Sequence, residues 1–217
     1  MSDYVTLKNK HRSIREHLPE SINLRVHRAL SWLQRSEREL DDNDARFIFL
    51  WIAFNAGYAS EDNRLNGYGE RVSFQTFFER IVACDDDGTV YETIWRRYPK
   101  AIGELLTNKY VFQPFWSFHN GAPGSDDWET RFQKSIKRVQ YALKDEDTTV
   151  ILSILFDRLY VLRNQMLHGG ATWNGSVNRT QVSDGAKILN ALVPAFLDLM
   201  MDSPNVDWGS SFYPVAD

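Results

Sequence analysis

The sequence predicts an all-α protein, an antiparallel helical bundle of about six to seven helices with an irregular aromatic-rich insert. Apolar residues recur at spacings of three and four along most of the chain, and no segment shows the period-2 alternation of a strand. The 217 residues are 43% hydrophobic and include 13 Phe, 9 Tyr and 7 Trp. This composition predicts a well-packed core and excludes a disordered chain.

Helical periodicity divides the first third of the chain into three segments. Residues 1–20 are polar and basic, which predicts an arm or a loosely attached short helix that ends at Pro19. Residues 21–40 place apolar side chains opposite a row of arginines, as an amphipathic helix does. Residues 45–60 are apolar on all sides, so we expect that helix at the centre of the bundle.

The remaining chain continues the helical pattern with one interruption. The stretch 110–124 is aromatic but contains Pro114 and Pro123, which predicts an irregular segment laid on the core. Helices are predicted at 74–82, 89–107 with a kink or break at Pro99, 125–144, 148–168 and 180–201. We therefore expect a polar arm (1–20), one helical domain (21–202) and a tail (203–217).

Composition and missing motifs exclude several classes of function. The net charge of −4 argues against a protein that coats nucleic acid through a broad basic face. Cys84 is the only cysteine, which excludes an intramolecular disulfide and a cysteine-based metal cluster. No Walker, GxGxxG, HExxH or GxSxG motif is present, and we expect no cofactor and no metal. The N-terminus lacks the apolar core of a signal peptide and no apolar run is long enough to cross a bilayer, so we expect a cytoplasmic protein without a membrane partner.

The end of the helix at 148–168 carries the residues with the clearest chemical potential. At 100° per residue, Asp157, Asn164 and His168 fall on one side of this otherwise apolar helix, and Arg163 lies at the edge of the apolar face. Asn164 is one turn before His168, so its amide can reach the ring. A histidine beside a guanidinium suits anion binding and general acid–base chemistry near neutral pH.

Structural explanations exist for each of these residues. Cationic side chains followed by glycine are common at helix ends, and Arg12 to His17 repeats the Arg-x4-His spacing in the polar N-terminal segment. Asn55 in the apolar helix requires a hydrogen-bond partner, which is either structural or the Arg163/His168 site. The basic side of the helix at 125–144 is either a solvated surface or an RNA contact.

The segment Arg163-Asn164-Gln165-Met166-Leu167-His168-Gly169 resembles the Arg-x4–6-His signature of the HEPN superfamily, in the form with Asn after Arg. The run from Trp51 to Tyr58 also resembles the early core helix of Apea-like HEPN proteins. The resemblance covers residues 22–201. It implies a HEPN-like bundle that dimerises with the motif at the interface, with Arg163 and His168 as the catalytic pair and Asn164 as the polar residue after the arginine.

This resemblance implies two alternative functions. The first is a metal-independent endoribonuclease of a toxin–antitoxin or phage-defence type, which cleaves RNA by 2′-hydroxyl attack at a composite site in a homodimer. Asp157 and Asn55 are its supporting residues, and an antitoxin of the nucleotidyltransferase type is its expected partner. The second is a non-catalytic HEPN module that binds a partner protein, a nucleotide or RNA.

Overall fold

The computed structural model describes residues 3–59 and 70–210, with side chains from residue 74 onward in the second range. These residues form ten α-helices and no strand, which confirms the all-α class. The helices are α1 (Tyr4–Ile14), α2 (Glu20–Ser36), α3 (Asn43–Tyr58), α4 (Glu70–Ala83), α5 (Thr89–Glu92), α6 (Pro99–Leu106), α7 (Gln113–His119), α8 (Trp128–Lys144), α9 (Thr148–Leu167) and α10 (Arg179–Asp202). A π-helical turn (Thr93–Arg97) and a 3-10 turn (Lys109–Val111) complete the order.

Four helices meet at a cluster of phenylalanines in the core. Phe156 of α9 lies 4.4 Å from Phe54 of α3 and 4.8 Å from Phe78 of α4, measured between ring centroids. Phe196 of α10 closes the cluster at 6.0 Å from Phe156. Tilted aromatic pairs at these distances contribute about 0.5–1.5 kcal/mol each beyond the burial of their area. The cluster therefore fixes the relative positions of α3, α4, α9 and α10.

The N-terminal segment forms a short helix, the second of the two alternatives that its sequence predicts, and this helix packs on the bundle. Leu7 and His11 of α1 are buried against the rest of the protein. Lys10 forms ion pairs with Asp198 and Asp202 of α10. Leu7, Lys10 and His11 lie on one side of this short helix and hold it against the bundle. Residues 1–20 are so polar overall that this contact side is not evident from the sequence.

The segment after α10 is also attached to the bundle. The Trp208 side chain is buried, and the main-chain oxygens of Trp208 and Gly209 accept hydrogen bonds from the guanidinium of Arg25. The same guanidinium donates to the main-chain oxygens of Tyr58 and Ala59 at the end of α3. The predicted tail thus packs on the domain as far as residue 210, and residues 211–217 lie outside the described part of the chain.

The number of helices exceeds the predicted six to seven for three reasons. Helix α1 is well formed, the aromatic stretch contains α7, and the predicted helix at 89–107 divides into α5 and α6. Residues 89–106 divide at Pro99 as expected, with a π-helical turn in front of the proline. The aromatic stretch contains α7 where an irregular segment was predicted. Pro114 lies in the first turn of α7, where a missing amide hydrogen costs nothing, so the proline starts this helix. Within the described residues, no helix is both long and apolar enough to cross a membrane.

Candidate active site

The motif helix α9 is delimited by local signals at both ends. The Asp147 side chain accepts a hydrogen bond from the Val150 amide at 2.9 Å and caps the start of the helix. His168 follows the last helical residue, and its own amide donates to the Asn164 main-chain oxygen. Gly169 adopts a φ of 73°, and the Ala171 amide donates to the Gln165 main-chain oxygen. A left-handed glycine is the usual way to turn the chain away from a helix end.

Arg163 is oriented by its neighbour in sequence. Its Nη1 donates to the Asn164 Oδ1 at 2.8 Å, and its Cζ lies 6.0 Å from the centroid of the Tyr160 ring. The Nε atom is buried without a hydrogen-bond partner in the described part of the chain. The Asn164 bond uses one of the five guanidinium N–H donors, so the terminal nitrogens of this half-buried side chain retain donors for an anion such as a phosphate group.

His168 is exposed at the end of α9, and its ring forms no hydrogen bond with any described residue. The sequence predicted that the Asn164 amide reaches this ring, but the Asn164 oxygen is occupied by Arg163. Arg163 and His168 are five residues apart, which corresponds to about 7.5 Å along the helix and about 140° around it. One chain therefore presents the two side chains on different sides of the same helix end.

The two remaining candidates lie farther from the motif. Asp157 is half-buried on α9, about 16 Å before His168 along the helix axis. Asn55 is half-buried on α3 beside Phe54, which contacts Phe156. Because Phe156 is seven residues before Arg163, Asn55 is about 10 Å from the level of the motif, and the structure does not bring it to the Arg163/His168 pair.

The loop that follows His168 is clamped onto the start of α3. Trp173 donates from Nε1 to the Asp42 Oδ2 at 2.8 Å, and Arg179 pairs with Asp44 at 2.6 Å. The Ala45 amide, which donates to the same Asp42 carboxylate as an N-cap bond, and the Trp173 indole both lower the pKa of Asp42. These contacts surround a cavity of about 140 Å³. The sequence indicated Asp42 only as part of a capping cluster, and no local pattern connects it with Trp173, 131 residues away.

The aromatic segment lies along another side of the motif. Gln165 donates from Nε2 to the Tyr110 main-chain oxygen at 2.7 Å, and its Oε1 accepts from the Asn178 side chain at 2.7 Å. Tyr110 is 48% exposed, with Lys109 Nζ 5.3 Å from its ring centroid. The 3-10 turn therefore forms a wall beside the motif helix, and α7 is attached to this wall because Trp116 donates from Nε1 to the same Tyr110 oxygen. This assigns a position to part of the insert that the sequence left without one.

Arg158 is a structural residue that sequence analysis missed. It is 2% exposed, donates to the Ser135 Oγ of α8 at 2.7 Å, and lies with its Cζ 4.7 Å from the Phe112 ring centroid. Its signal in the sequence is a charged residue inside an apolar helical run. Buried arginines persist where hydrogen bonds and ring faces replace their hydration, so Arg158 joins α9 to α8 and to the aromatic segment.

Among the described residues, no group of three or more His, Cys, Asp or Glu side chains is arranged to hold a metal ion. A second cavity, of about 480 Å³, lies beside the π-helical turn and shares no residue with the motif. Comparisons with protein-family models, with curated proteins and with solved structures found no match.

Proposed function

We propose that this protein is a metal-independent endoribonuclease of HEPN type that acts as a homodimer, with Arg163 and His168 as its catalytic residues. The observation that carries this proposal is the Arg163–Asn164 hydrogen bond, which holds a guanidinium at the end of a helix where an exposed histidine follows. In this geometry the asparagine of the Arg-Asn-x3-His motif orients the cation, and the histidine stays accessible to a substrate.

The proposed reaction is transesterification within the RNA chain. A ribose 2′-hydroxyl loses its proton to a base and attacks the adjacent phosphorus, and the bond to the 5′-oxygen of the next nucleotide breaks. The departing oxygen takes a proton from an acid, which leaves a 2′,3′-cyclic phosphate and a 5′-hydroxyl. Histidine supplies the base and the acid near neutral pH. Arginine stabilises the charge that develops on the phosphorane, because its planar fork can donate to two oxygens at once.

A second copy of the chain completes the site in this proposal. One copy of the motif supplies one histidine and one arginine. A two-fold axis near His168 would bring two copies of the motif together and so supply two of each. The outer side of α3 supports such an interface, because the apolar side chains of Ile48, Ile52 and Ala56 are only half-buried along it. The helix that carries this row starts beside the loop that follows His168, because Asp42 and Asp44 hold Trp173 and Arg179 of that loop.

The test is cleavage of a structured RNA in the presence of EDTA. Wild type is compared with His168→Ala and with Arg163→Lys, which keeps the charge but loses the planar fork. We expect each variant to lose about 10²–10⁴-fold in cleavage rate, with products that end in a cyclic phosphate in the wild-type reaction. Helical content and melting temperature should stay near wild type for His168→Ala, because His168 is exposed.

The chain contains its own matched control. Arg12 and His17 repeat the spacing of the motif, and both side chains are exposed. The double variant Arg12→Ala/His17→Ala should cleave RNA at the wild-type rate. An inactive double variant together with fully active Arg163 and His168 variants would show that the site has been assigned wrongly.

A non-catalytic module that binds a partner protein, such as an antitoxin, is the second candidate. The observation that favours it is the His168 ring, which no described residue orients by a hydrogen bond, whereas general bases are usually held by a third group. The same assay separates the two functions. Wild-type protein that leaves RNA intact in EDTA and in Mg²⁺, but binds a partner in an Arg163-dependent way, would establish the second.

A further inference from the structure

Helix α8 concentrates positive charge on a chain that is acidic overall. Its 17 residues contain five basic side chains and a single acidic one, Glu129, which amounts to a formal +4 on a chain whose total is −4. Arg131 is neutralised by an ion pair with Asp127 at 2.8 Å. The other four are exposed and form no ion pair with any described residue: Lys134, Lys137, Arg138 and Lys144.

These cations share one side of the helix. Lys134, Lys137, Arg138 and Tyr141 follow the spacing i, i+3, i+4, i+7, so they form a continuous stripe, and Tyr141 is 68% exposed within it. Like charges at these spacings repel one another and destabilise a helix. A merely solvated surface gains stability from alternating signs, whereas no described residue neutralises the charges of this stripe. Such a stripe with an exposed aromatic ring is complementary to a phosphate backbone with accessible bases.

The position of α8 relates the stripe to the motif. Ser135 contacts Arg158 of α9, and the short turn at residues 145–147 makes the two helices antiparallel. Arg158 is ten residues before His168, so the level of Lys134 is about 15 Å from His168 along the helix axes. Lys144 is about 15 Å farther in the same direction. An RNA chain must therefore extend well beyond the scissile phosphate to reach these residues.

We propose that the stripe formed by Lys134, Lys137, Arg138 and Tyr141 binds the phosphate backbone of the RNA substrate outside the cleavage site. It makes the protein select long RNA over short fragments. The identity of the polyanion rests on the proposed ribonuclease function, whereas the binding surface is carried by the charges of α8 themselves.

The first experiment measures binding without cleavage. A 30-nucleotide structured RNA is titrated into His168→Ala protein at several salt concentrations, with and without the triple change Lys134→Gln/Lys137→Gln/Arg138→Gln. Removing three phosphate contacts should lower the slope of log affinity against log salt by about 2 to 3, and the affinity near physiological salt by about tenfold or more. The matched control is Arg12→Gln/Arg38→Gln/Lys100→Gln, which removes the same charge from exposed positions outside α8 and should leave the slope nearly unchanged.

The single change Lys134→Glu separates binding from folding. Glutamate at this position precedes Lys137 and Arg138 by three and four residues, which turns two repulsions into attractions in the favourable orientation. The melting temperature should stay equal or rise by about 1–2 °C, while RNA affinity falls. If Lys134 served the stability of the helix instead, both quantities would fall together.

The cleavage assay then distinguishes this inference from the function it rests on. In the His168-containing protein, the triple change should lower the ratio of kcat/KM for the 30-nucleotide RNA to that for a trinucleotide. Wild-type protein that cleaves neither RNA but binds the long one through α8 would overturn the ribonuclease and support the surface. An RNA affinity equal in the triple variant and the control, or a stripe that binds vesicles of anionic lipid and no RNA, would overturn the surface and leave the ribonuclease standing.

Discussion

The side-chain amide of Gln165 donates a hydrogen bond to the main-chain oxygen of Tyr110, a residue 55 positions earlier in the chain. The other end of the same amide accepts from Asn178 in the loop after the motif. Gln165 lies between Arg163 and His168, so one residue of the motif connects the motif helix, the aromatic segment and the following loop. A glutamine at this position therefore fixes the surroundings of the proposed site.

Replacement of Gln165 should impair the site more than the fold. Gln165→Ala removes two hydrogen bonds at a partly exposed position, so the free energy of unfolding should fall by only about 1–2 kcal/mol. RNA cleavage should decrease about tenfold, because the loop and the aromatic wall lose their common anchor. Gln165→Glu keeps the acceptor for Asn178 and loses the donor to Tyr110. Its cleavage rate should therefore lie between the rates of wild type and Gln165→Ala. Stability from urea unfolding and initial cleavage rates check this prediction, and a Gln165→Ala variant with wild-type cleavage would contradict it.

The half-buried outer row of α3 predicts a dimer at micromolar concentration. Ile52→Arg should shift the protein to a monomer in sedimentation and reduce cleavage in parallel. A two-fold axis would bring the new arginines of both copies close together in the interface, where their like charges repel. Asp157→Arg, on the motif helix, should weaken association in the same way. The control is Val5→Arg on α1, where the side chain is 59% exposed. A strictly monomeric Ile52→Arg protein with undiminished nuclease activity would eliminate the composite site.

Most helices could be predicted from the sequence because their signals are local. Helix α9 was expected at 148–168 and runs from Thr148 to Leu167, with an aspartate cap before it and a left-handed glycine after it. Helix α10 was expected at 180–201 and runs from Arg179 to Asp202. Helix α7 was missed, because a proline that begins a helix and a proline that breaks one look alike without the backbone conformation.

The site was predictable only in its local part. Arg163, Asn164 and His168 are neighbours in sequence, so their placement on one helix end followed from periodicity. Periodicity does not predict that the Asn164 side chain contacts Arg163 and not His168, because that contact depends on the rotamer of Arg163. The Trp173–Asp42 clamp and the Gln165–Tyr110 bond join residues far apart in sequence, and no spacing rule reports such contacts.

Arg25 should be among the most important residues for stability. Arg25 is 2% exposed, and its guanidinium donates to four main-chain oxygens, of Tyr58, Ala59, Trp208 and Gly209. The negative end of the α3 dipole offsets part of the cost of burying this charge. Arg25→Met should lower the free energy of unfolding by about 2–4 kcal/mol, because it leaves buried carbonyl groups without donors. Urea unfolding measures the loss, and the exposed Arg38→Met variant, which should change stability by less than about 0.5 kcal/mol, is the control.

Acid should destabilise the attachment of α1 through His11. Burial lowers the pKa of His11 from its usual value of 6.5, and Lys8, His27 and Arg15 add to the effect against the opposing hydrogen bond with Asn23. The Nε2 atom is 2.7 Å from the Asn23 Oδ1, while Nδ1 is buried without a partner among the described residues. A proton added at Nδ1 would therefore be a buried donor without an acceptor.

The sign of the pH dependence follows from the lowered pKa of His11. Below pH 6.5 this histidine becomes protonated in the unfolded chain, while in the folded protein it stays neutral to a lower pH. The unfolded state therefore binds more protons, and the free energy of unfolding falls as the pH falls. His27, with its ring centroid 6.2 Å from that of His11, has a pKa lowered by burial and by Lys8, Arg15 and Arg28, and it adds to the same slope. His11→Gln/His27→Gln should flatten the urea-unfolding profile as the pH falls below 6.5. His17→Gln, at an exposed position, should leave the profile as in wild type. An equal slope in the double variant and in wild type would assign the acid sensitivity to other groups.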